Sequence, residues 1–267
     1  MGRIIEIYSK NDQYQLLEAC MRNRNKRHRL GYFVIEAVKA VNLALETAWP
    51  LHAAVCGRER KLSSWAKSVL EQAPLVYRLP DALFEELSDR EETSELLLLA
   101  KIRNFSLEEV PLDKGLALLL DRPMNPGNLG TIIRSADAMG ADCVVVLGHS
   151  ADVYDPQCVR ATIGTLLTLP VCRIQAPAEL EALRRRLPGV RFVGTSAHGS
   201  AWIDGLDLRQ PTLLMLGNET DGLSRALKES CDVLAKIPIF GSASSLNLAS
   251  AASICLYEAQ RQRLRQP

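Results

Sequence analysis

The stretch that decides the fold is Leu116-Ala-Leu-Leu-Leu-Asp-Arg-Pro-Met-Asn-Pro-Gly-Asn-Leu-Gly-Thr-Ile-Ile-Arg134. Residues 116–120 are all apolar, which predicts a short buried strand. The apolar side chains that follow have helical spacing, i, i+3, i+4 and i+7, and predict a helix with one buried face: Leu129, Ile132, Ile133 and Ala136. A glycine-containing turn joins strand to helix, and open α/β sheets bind ligands at such junctions because backbone amides are exposed there.

Two later stretches have the same organisation. They read Leu216-Gly-Asn-Glu-Thr-Asp-Gly222 and Ile237-Pro-Ile-Phe-Gly-Ser-Ala-Ser-Ser-Leu-Asn247, and each follows an apolar run and precedes a helical pattern. Because the carboxyl ends of parallel strands meet at one edge of a sheet, the three junctions predict one composite pocket.

The chain as a whole alternates between short apolar runs and helical patterns, which is typical of an α/β fold. A charged, aperiodic stretch at residues 106–115 predicts a linker. We therefore predict a smaller α/β domain over residues 1–108 and a parallel-sheet α/β domain over residues 109–267. The predicted strands are residues 32–35, 52–56, 96–102, 116–120, 143–147, 190–195, 212–216 and 234–239. The predicted helices are residues 11–22, 36–47, 129–139, 155–166, 223–229 and 246–263.

Composition argues against several classes of protein. No segment approaches the roughly 18 unbroken apolar residues of a membrane span, and the first residues lack the apolar core of a signal peptide, so we expect a cytoplasmic protein without a membrane partner. The 7 cysteines are scattered, without a Cys-x-x-Cys pair, and the 4 histidines are dispersed, so neither disulfides nor a metal site are expected. A net charge of +1 argues against a uniformly basic nucleic-acid binder.

One local patch is strongly basic, Arg22-Asn-Arg-Asn-Lys-Arg-His-Arg29. It suits nucleic-acid phosphates, because asparagines that form hydrogen bonds separate the cations. It is equally compatible with a solvated turn between two helices, and both interpretations stay open. The candidate nucleic-acid-binding residues are Arg22, Arg24, Lys26, Arg27 and Arg29. The other arginine groups are expected to be solvated helix positions: residues 184–186 and Arg261, Arg263 and Arg265.

Single residues at the junctions allow a structural and a functional interpretation. Four of them stand where a side chain could cap a helix, the commoner role for each taken alone: Asn128, Thr220, Asp221 and Ser245. Glu219 follows a strand end, where a carboxylate is more often functional than on a helix face. Asn247 lies inside an apolar turn and needs a partner. Arg134 lies off the buried stripe of its helix and is free to act elsewhere.

A nicotinamide-dependent dehydrogenase also opens with a strand, a glycine turn and a helix. Two details disagree with that class. Gly127-Asn-Leu-Gly130 is not Gly-x-Gly-x-x-Gly, and the predicted strand at residues 143–147 runs into Gly-His-Ser instead of the acidic residue that would hold a ribose.

Together the three junctions closely resemble the three motifs of the SpoU/TrmH family of RNA ribose 2′-O-methyltransferases, in order, spacing and residue type. The resemblance runs from about Leu116 to the last residue. The N-terminal part is similar to the ribosomal-protein-like substrate-binding domain of many members, with Gly31-Tyr-Phe-Val-Ile-Glu36 resembling its strand-to-helix signature. One position departs from that signature, because Ala37 stands where the family usually has glycine.

The resemblance implies an S-adenosylmethionine-dependent enzyme with a trefoil knot, acting as a homodimer whose pocket lies at the subunit interface. The small residues that begin the last predicted helix agree with such an interface. By motif position, the resemblance implies these cofactor-binding residues: Thr195, Leu216, Gly217, Asn218, Gly222, Ile237 and Leu246. It assigns these residues to polar active-site positions: Asn128, Arg134, Glu219, Ser245 and Asn247.

The implied reaction requires that an RNA 2′-hydroxyl is held in line with an activated methyl group and that negative charge on its oxygen is stabilised. Arg134 is the candidate for that stabilisation, because a guanidinium is a poor proton acceptor at neutral pH. Ribosomal RNA is the first candidate substrate and transfer RNA the second. A catalytically silent RNA-binding protein, and a methyltransferase acting on a base or a small molecule, remain alternatives.

Overall fold

The computed structural model describes residues 2–88 and 94–264. The chain forms two compact units, each made of two segments. They are Met1–Arg103 with Tyr154–Leu167, and Asn104–Val153 with Thr168–Pro267. This division differs from a single cut at residues 108/109, because the helix predicted at 155–166 packs in the first unit.

The first unit contains a five-stranded mixed sheet with helices packed around it. Its strands are β1 (Arg3–Glu6), β2 (Tyr32–Ile35), β3 (Leu51–Gly57), β4 (Leu75–Leu79) and β5 (Leu96–Lys101). Their order is β1-β4-β3-β5-β2, and β5 runs antiparallel to both of its neighbours. Its helices are α1 (Asp12–Arg22), α2 (Arg24–Leu30), α3 (Val38–Glu46), α4 (Ser64–Gln72), α5 (Asp81–Leu87) and, from the second segment, α7 (Pro156–Thr162).

The basic patch forms the helix α2 and not a turn. The Asn23 side chain caps its first turn by accepting a hydrogen bond from the Lys26 amide at 2.9 Å, and Gly31 ends it with φ +76°. Helix patterning missed α2 because it has no apolar stripe; the capping asparagine and the final glycine were the available signals. The short elements β1, α4, β4 and α5 were also not predicted.

Residues 154–167 pack tightly within the first unit. The Tyr154 ring lies 4.7 Å from the Phe33 ring, centroid to centroid, and the Tyr154 hydroxyl accepts a hydrogen bond from the Arg103 amide at 3.2 Å. At Gly164, a Cβ would lie 3.1 Å from the Cα of Ala40, so only glycine permits this approach without a shift. The segment is therefore part of this unit's core.

The second unit contains a seven-stranded sheet in which every neighbouring pair is parallel, as predicted. Its strands are β6 (Leu116–Asp121), β7 (Cys143–Leu147), β8 (Val171–Ile174), β9 (Arg191–Thr195), β10 (Ala201–Trp202), β11 (Thr212–Leu216) and β12 (Val233–Lys236). Their order is β10-β12-β9-β11-β6-β7-β8. Its helices are α6 (Pro126–Ala138), α8 (Glu181–Arg186), α9 (Arg225–Ser230) and α10 (Leu248–Leu264). Of these elements β8, β10 and α8 were not predicted.

The predicted linker at 106–115 is packed against the second unit. Leu107 and Val110 are buried in its hydrophobic core. The Arg186 guanidinium donates hydrogen bonds to both of their carbonyl oxygens, at 2.7 Å for Val110. The expectation that Arg186 is a solvated helix position was therefore wrong, because it satisfies backbone groups that burial would leave unpaired.

Arg263, at the end of α10, also differs from the expectation. Its guanidinium donates to four backbone carbonyl oxygens, of Lys114, Gly115, Leu208 and Gln210. Half-burial lowers the pKa of this guanidinium. Arg261 instead forms an ion pair with Glu258 at 2.7 Å, and Arg265 lies outside the described residues. None of the described helices has the length and apolar character needed to cross a membrane.

Candidate active site

The first junction leaves the Asn128 side chain available for other contacts. Asn125, not Asn128, caps α6, because its Oδ1 accepts a hydrogen bond from the Asn128 amide at 2.9 Å. Pro126 occupies the first helical position, where a missing N–H costs nothing. The capping interpretation of Asn128 was therefore wrong.

The side chain of Asn128 joins the three junctions. Its Nδ2 donates to Oε1 of Glu219 at 3.0 Å, and its Oδ1 accepts from Nδ2 of Asn247 at 3.3 Å. These partners lie 91 and 119 residues away in sequence. The predicted convergence of the three stretches is thus a chain of hydrogen bonds between their polar side chains.

The second junction is a closed loop between Asn218 and Gly222. Each of these residues donates its amide to the other's carbonyl at 3.2 Å, and the Asn218 side chain accepts from the amides of Thr220 and Asp221. Neither Thr220 nor Asp221 caps α9, which begins after Ser224. The loop is held by its own hydrogen bonds and presents Glu219.

Close backbone approach at this loop requires glycine at position 217. A Cβ there would lie 1.9 Å from the carbonyl carbon of Gly222, which no side chain could tolerate. Gly222 itself has φ +66°, a left-handed conformation that glycine adopts without strain.

The third junction is capped by Asn247 and not by Ser245. Oδ1 of Asn247 accepts from the amides of Ala249 at 2.9 Å and Ser250 at 3.3 Å. This cap orients the side chain so that its Nδ2 faces Asn128. Asn247 was expected to need a hydrogen-bond partner. Its side chain has partners at both polar atoms, because Oδ1 accepts from backbone amides and Nδ2 donates to Asn128.

A cavity of about 630 Å³ opens at the carboxyl ends of β9, β11 and β12. All of the residues predicted to bind the cofactor line it: Thr195, Leu216, Gly217, Asn218, Gly222, Ile237 and Leu246. Glu219, Ser245 and Asn247 line it as well, whereas Asn128 and Arg134 do not. Sequence reasoning missed two polar lining residues, His198 and Lys228, which no motif marks.

Arg134 is exposed on α6. Within residues 2–88 and 94–264, its guanidinium has no hydrogen bond or ion pair. The next residue, Ser135, contacts Ser253 of α10, with their hydroxyl oxygens 2.9 Å apart. The guanidinium is therefore available to a ligand or to a second chain.

Asp121 is a buried residue of the site that sequence reasoning missed. It ends β6 with 1% exposure, and its carboxylate accepts from the Ser224 amide at 2.6 Å and from Nε of Arg122 at 2.9 Å. It thereby connects the first junction to the end of the second. A carboxylate that closes an otherwise apolar strand, just before a motif, was the signal for it.

The predicted RNA-binding set needs one correction. Arg27 is 1% exposed; its guanidinium donates to the carbonyls of Cys20 and Met21 at 2.7 and 3.1 Å and pairs with Asp155 at 3.5 Å. It is therefore not accessible to RNA. The rest of the set is partly or fully exposed: Arg22, Arg24, Lys26 and Arg29.

The cysteines are free thiols. Burial raises the pKa of Cys20 and Cys231 to about 11 and that of Cys255 to about 12, so these thiols stay protonated and unreactive at neutral pH. Among the described residues, no group of three or more His, Cys, Asp or Glu side chains is arranged to hold a metal ion.

Known proteins resemble this chain along nearly its whole length. It is 42% identical over 265 residues to the 23S rRNA (uridine(2479)-2′-O)-methyltransferase of Streptomyces viridochromogenes, an alignment that covers 97% of this chain and 92% of the relative. It is 29% identical over 237 residues to the 23S rRNA (guanosine(2553)-2′-O)-methyltransferase RlmP of Bacillus subtilis, covering 89% and 92%.

Solved structures give the same result. The SpoU methyltransferase AviRb from Streptomyces viridochromogenes, in complex with the cofactor AdoMet, superimposes with a TM-score of 0.90 at 41% identity, covering 96% of this chain and 100% of that one. The AdoMet-bound rRNA methyltransferase from Sinorhizobium meliloti superimposes with a TM-score of 0.87 at 30% identity, covering 97% and 98%.

Two family patterns match the chain, one in each half. The SpoU L30e-like domain matches residues 11–99. The SpoU rRNA Methylase family matches residues 115–257, a range that contains all three junctions. Since this match covers more than half of the sequence, the chain belongs to the SpoU rRNA methylase family.

Proposed function

We propose that this chain transfers a methyl group from S-adenosylmethionine to a ribose 2′-hydroxyl of 23S ribosomal RNA. The observation that carries the proposal is the hydrogen-bond chain from Asn247 through Asn128 to Glu219, which joins the three junctions beside the cavity. Relatives that match along nearly the whole chain bear the names of 23S rRNA 2′-O-methyltransferases, which favours rRNA over tRNA. We propose the cytoplasm as the location of this activity, in agreement with a ribosomal substrate.

The cavity fits this cofactor in size and chemistry. Its volume of about 630 Å³ lies within the range of roughly 300–1,000 Å³ for small-molecule sites. The aliphatic side chains of Leu216, Ile237 and Leu246 suit the faces of an adenine ring. The carboxylates of Glu219 and Asp221 suit a positively charged sulfonium.

The reaction needs little covalent chemistry from the protein, because the bound cofactor supplies a methyl group that its sulfonium already activates. In our proposal the chain orients the ribose and stabilises charge on its 2′-oxygen. Glu219 is held by Asn128, which is held in turn by Asn247, so the carboxylate is oriented before a ligand binds. Preorganised polar groups of this kind avoid reorganisation during the reaction.

Arg134 is the residue that we assign to charge stabilisation on the 2′-oxygen, or to anchoring the neighbouring phosphate. Its guanidinium offers a planar set of donors that matches either group. Its exposed position away from the cavity lining agrees with a site that a second chain completes.

We propose that α10 forms part of a homodimer interface. Ile254 and Tyr257 are 39% and 57% exposed on this helix, and serine and alanine fill much of its first turns. Small residues permit close approach, and large apolar side chains gain free energy when a partner buries them. Such an interface would lie next to Ser135 and Ser253, and so next to Arg134.

On the basis of family membership, we propose that the chain of the second unit forms a trefoil knot. The four carbonyl contacts of Arg263 hold the end of the last helix. They bring the end of the last helix to the start of β6 and to the segment that enters β11, two neighbouring central strands.

The proposed function is tested by mapping ribose methylation across total RNA from cells with and without the gene. We expect one 23S rRNA ribose to lose its methyl group and to regain it when the purified protein and S-adenosylmethionine are added. Methylation of a tRNA ribose, methylation of a base, or cofactor binding without any transfer would each contradict the proposal and identify the alternative that replaces it.

A further inference from the structure

Tyr32 and His52 form a stacked aromatic pair at one edge of the first unit's sheet, the end at which β2 and β3 begin. Their ring centroids are 4.1 Å apart and their planes differ by 21°. Tyr32 begins β2, and His52 lies near the start of β3, where the pairing with β5 shifts register. Both residues are partly exposed, so the pair lies at the surface.

Lys101 lies beside this pair. It is the last residue of β5 and stands directly opposite Tyr32 in the antiparallel register, where side chains share a face. Burial, followed by the charge of Lys101, lowers the pKa of His52. The imidazole is therefore neutral at pH 7. It can stack on another ring and does not repel the ammonium group of Lys101.

Helix α2 extends the positive charge. It carries the exposed Lys26 and Arg29 and ends at Gly31, directly before β2. The amide of Ile102 donates to the Gly31 carbonyl at 2.8 Å, which ties the end of this helix to the end of β5. Within residues 2–88 and 94–264, no carboxylate forms an ion pair with Lys26, Arg29 or Lys101.

At the opposite edge of the same sheet, several cations are neutralised. Carboxylates pair there with the basic side chains that follow β1 and β3: Glu6 with Arg58 at 3.3 Å, Asp81 and Glu85 with Arg60 at 3.6 and 3.2 Å, and Glu86 with Lys10. The exposed Tyr8 ring at that edge is also covered by a neutralised cation, because the Arg58 guanidinium that pairs with Glu6 lies 4.5 Å from its centroid.

We propose that this edge, the amino-edge surface formed by Lys26, Arg29, Tyr32, His52 and Lys101, binds a single-stranded segment of the substrate RNA. A base stacks on the Tyr32–His52 pair while the cations contact the adjoining phosphates. Aromatic side chains flanked by lysine and arginine are the usual means of holding unpaired bases. The inference rests on the proposed function and adds where the first unit holds the substrate.

Alanine at Arg29 and Lys101 tests the phosphate contacts. We expect the intact double variant to bind a fluorescent single-stranded rRNA fragment at least about 10-fold more weakly at low salt, with a salt slope smaller by about 1.4, the value for two lost contacts. The matched control is Lys61→Ala with Lys67→Ala, two exposed lysines elsewhere in the same unit that change the net charge equally. This control should retain the affinity and the slope.

Leucine at Tyr32 and His52 tests the stacking. Removal of the rings should weaken RNA binding by about 5- to 160-fold, the range that corresponds to the stacking of one base on an aromatic ring. The salt slope should not change, and Tyr32→Phe should retain wild-type affinity. Thermal unfolding and S-adenosylmethionine titration verify that each variant is folded. If the wild-type protein binds and methylates rRNA but both sets of variants bind rRNA as tightly as the wild type, the amino-edge surface does not bind RNA and the proposed function stands. If the wild-type protein binds no RNA, both fail.

Discussion

Asn128 is the residue that connects the candidate site. Because Asn125 caps the helix, the side chain of Asn128 is available for other contacts. Its Nδ2 donates to Glu219 and its Oδ1 accepts from Asn247. One side chain thus sets the orientation of groups from two other loops, and its loss would remove a hydrogen bond from both Glu219 and Asn247.

Replacement of Arg134 with alanine should separate binding from catalysis. We expect S-adenosylmethionine affinity to stay nearly unchanged, because Arg134 does not line the cavity, and methyl transfer to fall by at least about 100-fold, the usual loss for one preorganised donor. Calorimetry and single-turnover assays measure the two quantities. Near-normal turnover would remove Arg134 from the mechanism.

Ala37→Gly should stabilise the protein. Ala37 has φ +75° and ψ +139°, a conformation that glycine adopts freely and that costs other residues about 1–3 kcal/mol. We expect the free energy of unfolding to rise by about 1 kcal/mol, after subtraction of the extra entropy that glycine has in the unfolded chain. Ala226→Gly, on the exposed face of α9, is the control and should lower it by a similar amount. A loss of stability in Ala37→Gly would mean that the strain is absent in solution.

At the scale of elements, α10 has functional contacts at its start and structural contacts at its end. Asn247 caps it and reaches the site, and Arg263 fastens its last turn to carbonyl groups of two other segments. A substitution that shifts the C-terminal end of α10 should therefore also change the position of Asn247 at the site.

Arg263→Ala should lower the free energy of unfolding by about 2 kcal/mol or more, because it removes a donor from four backbone carbonyl groups, two of which belong to the buried residues Gly115 and Leu208. Denaturant unfolding measures this change. Arg225→Ala provides the control: that side chain is 91% exposed and forms a surface ion pair with Glu229, so its loss should leave stability nearly unchanged. Equal effects of the two substitutions would show that the Arg263 contacts contribute nothing.

The sequence predicted the elements that have strong local patterns and missed those whose cause is distant. β6, α6 and β11 follow from apolar runs, glycine turns and helical spacing. α2 has no apolar stripe, and Arg27 looked solvated because its partner Asp155 lies 128 residues away. The hydrogen bonds of Asn128 are also long-range, so residue type indicated a polar site but no local pattern could assign its partners.

At the scale of the whole molecule, the first unit needs a segment that the chain supplies after β7. Residues 154–167 contribute the Tyr154–Phe33 contact, the Arg27–Asp155 ion pair and the close approach of Gly164 to Ala40. The N-terminal sequence alone therefore lacks part of its own core.

A fragment of residues 1–108 should consequently be unstable. We expect it to show no cooperative thermal unfolding, because Phe33 loses the buried Tyr154 ring and the buried Arg27 guanidinium loses the carboxylate of Asp155. The matched control joins residues 1–103 to 154–167 through a flexible glycine–serine linker and should unfold cooperatively, as followed by circular dichroism. A cooperative transition in the shorter fragment would show that the added segment is dispensable.

This discontinuous unit has a consequence for biogenesis. Translation proceeds at about 5–20 residues per second, so the nascent N-terminal sheet must wait several seconds before its completing helix emerges. Until then Arg27 carries a charge without its carboxylate, and apolar surface stays uncovered beside the ribosome. We expect chaperones that bind nascent chains at the ribosome to be needed most during this interval. Slow codons placed between positions 104 and 167 should lower the yield of folded protein.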